Sequence, residues 1–385
     1  MTIHEVSSDK DRQEFLLLPL NIYKNDPDWI RPLDKDIEEV FNPEKNKFFR
    51  HGKCTRFLLE DGKGLTIGRI AVFINERTSK KELQPTGGIG FFDCINDQSA
   101  ANLLFETAKR WLSDRGMEAM DGPVNFGERD SWWGLLVKGY PEVPYRMNYN
   151  PPYYRELFEN YGFKTYFEQW CFSMNVDQQL AEKFATRHEQ VKQDPGYKAE
   201  HLRKNRLDRY AEDFRTVYNK AWVKHGSGKA LEAKQVRKFF RTMKPVIDEK
   251  AVWFVYYKGE PVAMWINLPD INQLFRRFNG KFGWVEKLRF IHLLRTGKID
   301  KLIGMVFGIV PEHQGKGVES FMIMEGADVI RRKTNYKRYE MQWIGDFNPK
   351  MHRIAESLGT EKSRILVTYR YLFDRSKEFV RHPIL

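Results

Sequence analysis

Hydrophobic and polar positions run along the chain in two rhythms, and each change of rhythm marks an element. Residues 2–6 read as a strand and residues 10–24 as a helix, followed by a loop rich in Pro and Asp. Over residues 56–75 apolar side chains recur at every second position on both sides of Asp61-Gly62-Lys63-Gly64, which predicts a hairpin. A strand follows at 88–94. Over 99–115 the period lengthens, so that Leu103, Leu104, Ala108, Trp111 and Leu112 share one helix face, and Gly116 stops the helix. Asn150-Pro151 opens a short helix that closes near Gly162, and an aromatic strand occupies 166–174.

The second half repeats this order. Helices over 206–222 and 232–248 lead to a hairpin at 252–267, turning at Lys258-Gly259-Glu260. A strand at 302–310 enters a helix at 317–332, and another strand spans 338–344. Asn348-Pro349 opens a helix ending at Gly359, and 365–373 is a closing strand. Gly62 and Gly259 are 197 residues apart, and Asn150 and Asn348 are 198 apart. Two copies of one α/β unit are therefore expected, at 1–176 and 201–385, joined by a polar linker at 177–200 that contains Asp194-Pro195-Gly196. The copies differ in their insertions, 122–147 in the first and 270–301 in the second.

Composition narrows the class. The 385 residues are 41% hydrophobic and 30% charged, with a mean hydropathy of -0.61, which excludes a disordered chain and a membrane-spanning one. The apolar run at 303–310 is far short of the roughly 20 residues a spanning helix needs. The first ten residues have no apolar core of a secretory signal, so a cytoplasmic protein without a membrane partner is expected. Cys54, Cys94 and Cys171 have no metal-ligand spacing and read as free thiols in a reducing compartment. His188-Glu189 lacks a second His four residues on, so no metal is expected. Sixty-four Lys and Arg against 52 Asp and Glu give a net charge of +12, which favours an anionic partner: a phosphorylated cofactor, an acidic carrier protein or nucleic acid. The basic clusters at 203–206, 234–241, 276–277 and 331–333 lie at helix spacing and read as solvated faces. No nucleic-acid module is present, so DNA is not an expected partner.

The stretch most suggestive of chemistry is Ile309-Val310-Pro311-Glu312-His313-Gln314-Gly315-Lys316-Gly317-Val318, between an apolar strand and an apolar-faced helix. Its glycines let a ligand approach the backbone, the helix start offers N–H groups to an anion, and Lys316 adds charge. The spacing fits neither a nucleotide-hydrolase phosphate loop nor a dinucleotide fingerprint. His225-Gly226-Ser227-Gly228 lacks a serine-hydrolase frame, so His225 receives no catalytic role.

Gln314, Gly315, Lys316 and Gly317 resemble the [Q/R]-x-x-G-x-[G/A] motif of the GNAT acetyltransferase superfamily, and Asn348 with its helix resembles that family's second conserved block. The resemblance covers 206–373. The first half follows the same order but carries Asn96-Asp97-Gln98-Ser99-Ala100 where the phosphate loop would lie, like a degenerate copy in a tandem protein. Gly122-Pro123-Val124-Asn125-Phe126 and Asn150-Pro151-Pro152-Tyr153-Tyr154 are similar to segments of large bacterial GNAT-like proteins. The resemblance implies an α/β (α+β) fold of two tandem units, each a mixed, mostly antiparallel twisted sheet flanked by helices. It implies an N-acyltransferase moving an acyl group from acetyl-CoA, another acyl-CoA or an acyl carrier protein to an amine. Ile309, Val310, Gln314, Gly315, Lys316, Gly317, Val318 and Asn348 would contact the cofactor, with a backbone N–H near Val310 on the thioester carbonyl. Two positions depart from the pattern: Glu319 replaces the last Gly/Ala, and Ala355 stands where many members have a thiolate-protonating Tyr.

Acyl transfer needs a neutral amine and help for the departing sulfur. Glu340 and Asp346 are the carboxylates offered by the fifth strand. Glu340 reads either as a buried base with a raised pKa or as a strand Glu paired with an Arg. Tyr369, or Tyr371, could supply the acid, or both could be core-edge residues. Asn125, Trp132, Trp133, Tyr149 and Tyr153 gather aromatic and amide groups that suit an acceptor pocket or an interdomain packing surface equally. Two other readings stay open: Fem-type aminoacyl transfer from tRNA, disfavoured because the insertion at 270–301 is short, and a non-catalytic scaffold, which Glu319 and Ala355 would suit. The sequence leaves the oligomeric state open.

Overall fold

The computed structural model describes residues 1–81, 83–222 and 230–384. The first half comprises β1 (Thr2–Glu5), α1 (Asp9–Ile22), α2 (Asp34–Val40), β2 (Gly52–Glu60), β3 (Thr66–Asn75), β4 (Thr86–Cys94), α3 (Gln98–Ser113), β5 (Ala119–Gly122), β6 (Leu135–Lys138), α4 (Tyr154–Tyr161) and β7 (Lys164–Asn175). Each element has a local cause. The Asp61 carboxylate accepts the N–H groups of Lys63 and Leu65 at 2.8 and 2.9 Å, closing the β2–β3 hairpin. Ala100, Leu104, Ala108 and Leu112 of α3 are fully buried on one stripe. Gly162 ends α4 at φ 110°, a conformation that favours glycine.

The second half repeats the series as β8 (Tyr197–His201), α6 (Leu207–Trp222), α7 (Ala233–Met243), β9 (Val252–Tyr257), β10 (Glu260–Pro269), β11 (Lys301–Ile309), α10 (Val318–Lys333), β12 (Arg338–Gly345), α11 (Pro349–Ser357) and β13 (Glu361–Leu372). Ahead of β8 stands α5 (Glu182–Lys192), and between β10 and β11 lie α8 (Asn272–Phe275) and α9 (Trp284–Thr296). The expected linker at 177–200 is thus largely ordered. Phe184, His188 and Val191 recur at helix spacing among charged residues and bury α5 against α10, where the His188 and Phe321 rings lie 5.4 Å apart. The insertion at 270–301 is helical, and the one at 122–147 contributes β6.

All the described strands join one sheet, in the order β1-β2-β3-β4-β5-β13-β7-β12-β11-β10-β9-β8, with β6 beside β13. It is mixed and mostly antiparallel. The parallel steps are β4–β5 and β11–β12, at equivalent places in the two halves. The closing strands are exchanged: β7 pairs with β12 of the second half, and β13 pairs with β5 of the first, while β7 and β13 pair with each other. The sheet therefore runs without a break through both halves of the chain. Val367, Tyr369 and Tyr371 of β13 accordingly pack in the core of the first half, and Met174 of β7 packs against the core of the second.

Candidate functional site

The parallel strands β11 and β12 pair only from Lys301 opposite Arg338 to Gly304 opposite Met341. Against β10, Asn267 lies opposite Gly304 and Ile266 opposite Val306, so Met305 is an extra residue in β11. Such a bulge bends its strand and interrupts pairing. Beyond it β11 and β12 part, and a cleft of about 570 Å³ opens between them, reached by Trp222 of α6, Ile323 of α10 and Ile354 of α11. Its walls are mainly apolar, including Phe307, Met341 and Leu358.

Tyr339 stands where the strands separate. Its hydroxyl accepts the Trp265 Nε1–H at 3.1 Å, and burial pushes its phenol up to about 12. Any side chain at Gly304 would collide with that hydroxyl, so the glycine seats it. Neither residue was picked out by sequence reasoning. The available signal was Gly304 itself, a glycine inside an apolar strand, which marks a bulge or a close approach.

The glycine loop lies at the C-terminal end of β11. Gly315 and Gly317 adopt φ of 74° and 84°, and Gln314 Nε2 donates to the Ile309 carbonyl at 3.0 Å, folding the loop onto the strand. Gly317 caps α10 without a side-chain hydrogen bond, Arg187 and Val191 of α5 pack beside it, and Lys316 is exposed on the loop. In the first half Asp97 occupies the equivalent place. Its carboxylate accepts the N–H groups of Ser99 and Ala100 at 2.7 and 3.0 Å, so that copy fills its helix start with its own anion. Glu319 pairs laterally with Arg187 of α5 at 3.4 Å.

The Val310 N–H donates to the Val262 carbonyl of β10 at 2.9 Å and is not free for a ligand, contrary to expectation. Strand alternation then directs the N–H groups of Ile309 and Phe307 to the opposite edge, from which Gln314 reaches the Ile309 carbonyl. Asn348 caps α11, accepting the Met351 N–H at 3.3 Å, and lines the cleft together with Ala355.

The expected catalytic groups lie elsewhere. Glu340 is 3% exposed and bound to Lys301 at 3.0 Å and Arg364 at 2.5 Å, while Lys301 also holds Asp270 at 3.2 Å. Burial alone would raise its pKa; Arg364 and Lys301 outweigh burial and hold the carboxyl below its ordinary range. It is an ion-pair member and not a raised-pKa base. Asp346 is paired with Arg381 at 2.5 Å. Tyr369 is buried in the first half's core, carried there with Tyr371 by the exchange of β13, and its hydroxyl donates at 2.9 Å to the exposed Glu159 of α4.

The aromatic segments do not line the cleft either. Trp132 and Tyr149 border a separate cavity of about 90 Å³ in the first half. Tyr149 donates to Asp26 at 2.6 Å and Tyr153 to the Cys94 carbonyl at 2.8 Å. Asn125 is buried, and Trp133 packs beside the cluster of Phe73, Val124 and Phe126. His225 lies outside the described residues. Among the described residues, no group of three or more His, Cys, Asp or Glu side chains could hold a metal ion, and no helix is long and apolar enough to cross a membrane.

No family model matches the chain. It is 26% identical over 370 residues to the bacterial ceramide synthase of Caulobacter vibrioides (strain NA1000 / CB15N), covering 93% of this chain and 94% of that protein. It is 24% identical over 365 residues to the protein YghO of Escherichia coli (strain K12), covering 91% and 90%. Among solved structures, the tandem GNAT protein from the clavulanic acid biosynthesis pathway superposes with a TM-score of 0.54 at 12% identity, over 98% of this chain and 99% of that one. Two repeats with matched parallel steps, together with that superposition, give the chain a tandem GNAT-like fold.

Proposed function

We propose that the protein is an N-acyltransferase that takes a long acyl group from a thioester, acyl-CoA or acyl carrier protein, and passes it to the amine of an amphiphile. The observation that carries this reading is the apolar cleft of about 570 Å³ at the parting of β11 and β12, well beyond what a two-carbon acyl group occupies and within the roughly 300–1,000 Å³ of ligand pockets. Ala355 contributes by its small size, since a tyrosine at that wall would fill part of the space. Ceramide is the amide of a fatty acid and a long-chain amino alcohol, so the relative named for that product supports an amine acceptor of the same class.

The chemistry follows from the walls. Among the described lining residues there is no Asp, Glu or His, so the amine is made nucleophilic by the cleft itself, whose low polarity favours the neutral form. The nitrogen attacks the thioester carbon, a C–N bond forms, and the carbonyl electron pair moves onto oxygen. The edge N–H groups of Phe307 and Ile309 are the donors for that oxyanion. The C–S bond then breaks, Tyr339 gives its proton to the departing sulfur, and the proton released by the nitrogen restores the phenol. Lys316 and the start of α10 would hold the pyrophosphate of coenzyme A.

Thermal unfolding with coenzyme A, acetyl-CoA and palmitoyl-CoA tests the reading. A ligand present at a hundredfold excess over its Kd adds about 2.7 kcal/mol, enough to move the midpoint by several degrees. Palmitoyl-CoA should stabilise most, and Ala355→Phe should abolish that extra increment while leaving the response to coenzyme A. Equal shifts with acetyl-CoA and palmitoyl-CoA would refute the acyl-chain role of the cleft, and no shift with any of them would remove acyl-CoA as donor.

A further inference from the structure

Helix α9 has two apolar faces, and the fold uses only one. Phe290 and Leu293 point inward, into a cluster with Phe275 and Phe278. On the outer side Trp284, Val285, Leu288 and Ile291 are 82%, 74%, 69% and 45% exposed. At about 100° per residue these four fall within an arc of about 120°, with Lys287 on one flank and Arg289 on the other. Single exposed apolar residues are ordinary, but four on one stripe form a patch that needs a cover.

The charge around the stripe indicates what that cover is. From 272 to 298 the chain carries seven Lys or Arg and a single acidic residue, Glu286. All seven basic side chains are exposed, whereas Glu286 turns back to accept the Gly283 N–H at 2.8 Å and cap the helix. A second copy of the chain across a two-fold axis would set this basic rim against itself. An anionic bilayer surface meets both demands: its headgroups neutralise the rim, and its acyl boundary accepts the Trp and aliphatic stripe. The stacked phenylalanines beneath, with Phe275 and Phe290 rings 5.2 Å apart, hold the helix against the body of the protein.

We propose that α9 is an interfacial docking helix that seats the protein on anionic lipid, lying on the bilayer without crossing it. This revises the expectation that a membrane is not a partner, which rested on the lack of a spanning segment. The inference does not depend on the acyl-transfer reading, because vesicle binding is measured without turnover.

The test is co-sedimentation of the full chain with vesicles of phosphatidylcholine alone and with roughly one-third phosphatidylglycerol. Binding at least about tenfold tighter to the anionic vesicles, weakening as salt rises, is expected. Trp284→Ser with Leu288→Ser should abolish binding while the thermal midpoint stays unchanged, because both side chains already face water. Lys287→Glu with Arg289→Glu should remove the preference for phosphatidylglycerol. The proposal is overturned if the wild type stays in the supernatant with both vesicle types, or if the Ser variant binds as well as the wild type. A wild-type dimer that the Ser variant dissociates, with no vesicle binding, would instead assign the face to a second copy.

Discussion

Tyr339 gains its place from one glycine and one indole: Gly304 leaves room for the hydroxyl, and the Trp265 N–H orients it at the point where β11 and β12 separate. If it protonates the departing sulfur, Tyr339→Phe should lower turnover by roughly 100-fold with little change in acyl-CoA affinity, as measured by steady-state kinetics beside equilibrium binding. A parallel loss of affinity would mean that the phenol only packs. At this scale the glycine loop was legible, because Gly315 and Gly317 punctuate an apolar strand and an apolar-faced helix. Tyr339 was not. One aromatic residue in a strand resembles any other until the opposing strand shows which of them meets a glycine.

Elements are held by groups that a linear reading places in the wrong role. Glu340 carries the charges of Lys301 and Arg364, tying β12 to the start of β11 and to β13. Replacing it leaves buried Arg364 without its carboxylate and Lys301 with Asp270 alone, so Glu340→Gln should cost about 3–5 kcal/mol in chemical denaturation. The pH dependence has a definite sign. The folded carboxyl titrates below the ordinary Glu value of 4.5, so its contribution is fully present above that value and is lost as pH falls through the depressed folded value. The stability gap between wild type and Glu340→Gln should therefore be flat near neutrality and shrink on acidification below about pH 4.5. A gap that widened in acid would contradict the assigned direction. Periodicity announced most elements but not α5, whose three buried residues are spaced among charges.

At the scale of the whole molecule the exchange of β7 and β13 governs behaviour. Residues 1–176 alone lack β13, the strand that separates β5 from β7, and residues 177–385 alone lack β7, the strand that lies between β12 and β13. Each fragment would expose unpaired strand edges and part of a core. Expressed separately, both should be insoluble; co-expressed, they should recover a soluble complex with the strand content of the intact chain by circular dichroism. Two fragments that each fold and melt cooperatively would show that the exchange is dispensable.

What the sequence determined by itself was whatever depends on neighbours along the chain. Helix and strand periods, the Asp61 turn, the glycine loop and the caps at Asp97, Gly162 and Asn348 are all satisfied within a few residues. The repeat was legible for the same reason, since equal local patterns recur at nearly equal spacing. The tertiary structure alone decided where the closing strands go, because both close the same series of elements and no local period assigns either to one part of the sheet. That choice moved Tyr369 into the first half's core. The bulge at Met305 and the end of β11–β12 pairing beside it opened the cleft, and packing left the outer face of α9 in water. Pairing and packing join residues that are distant along the chain, and no local period encodes which of them meet.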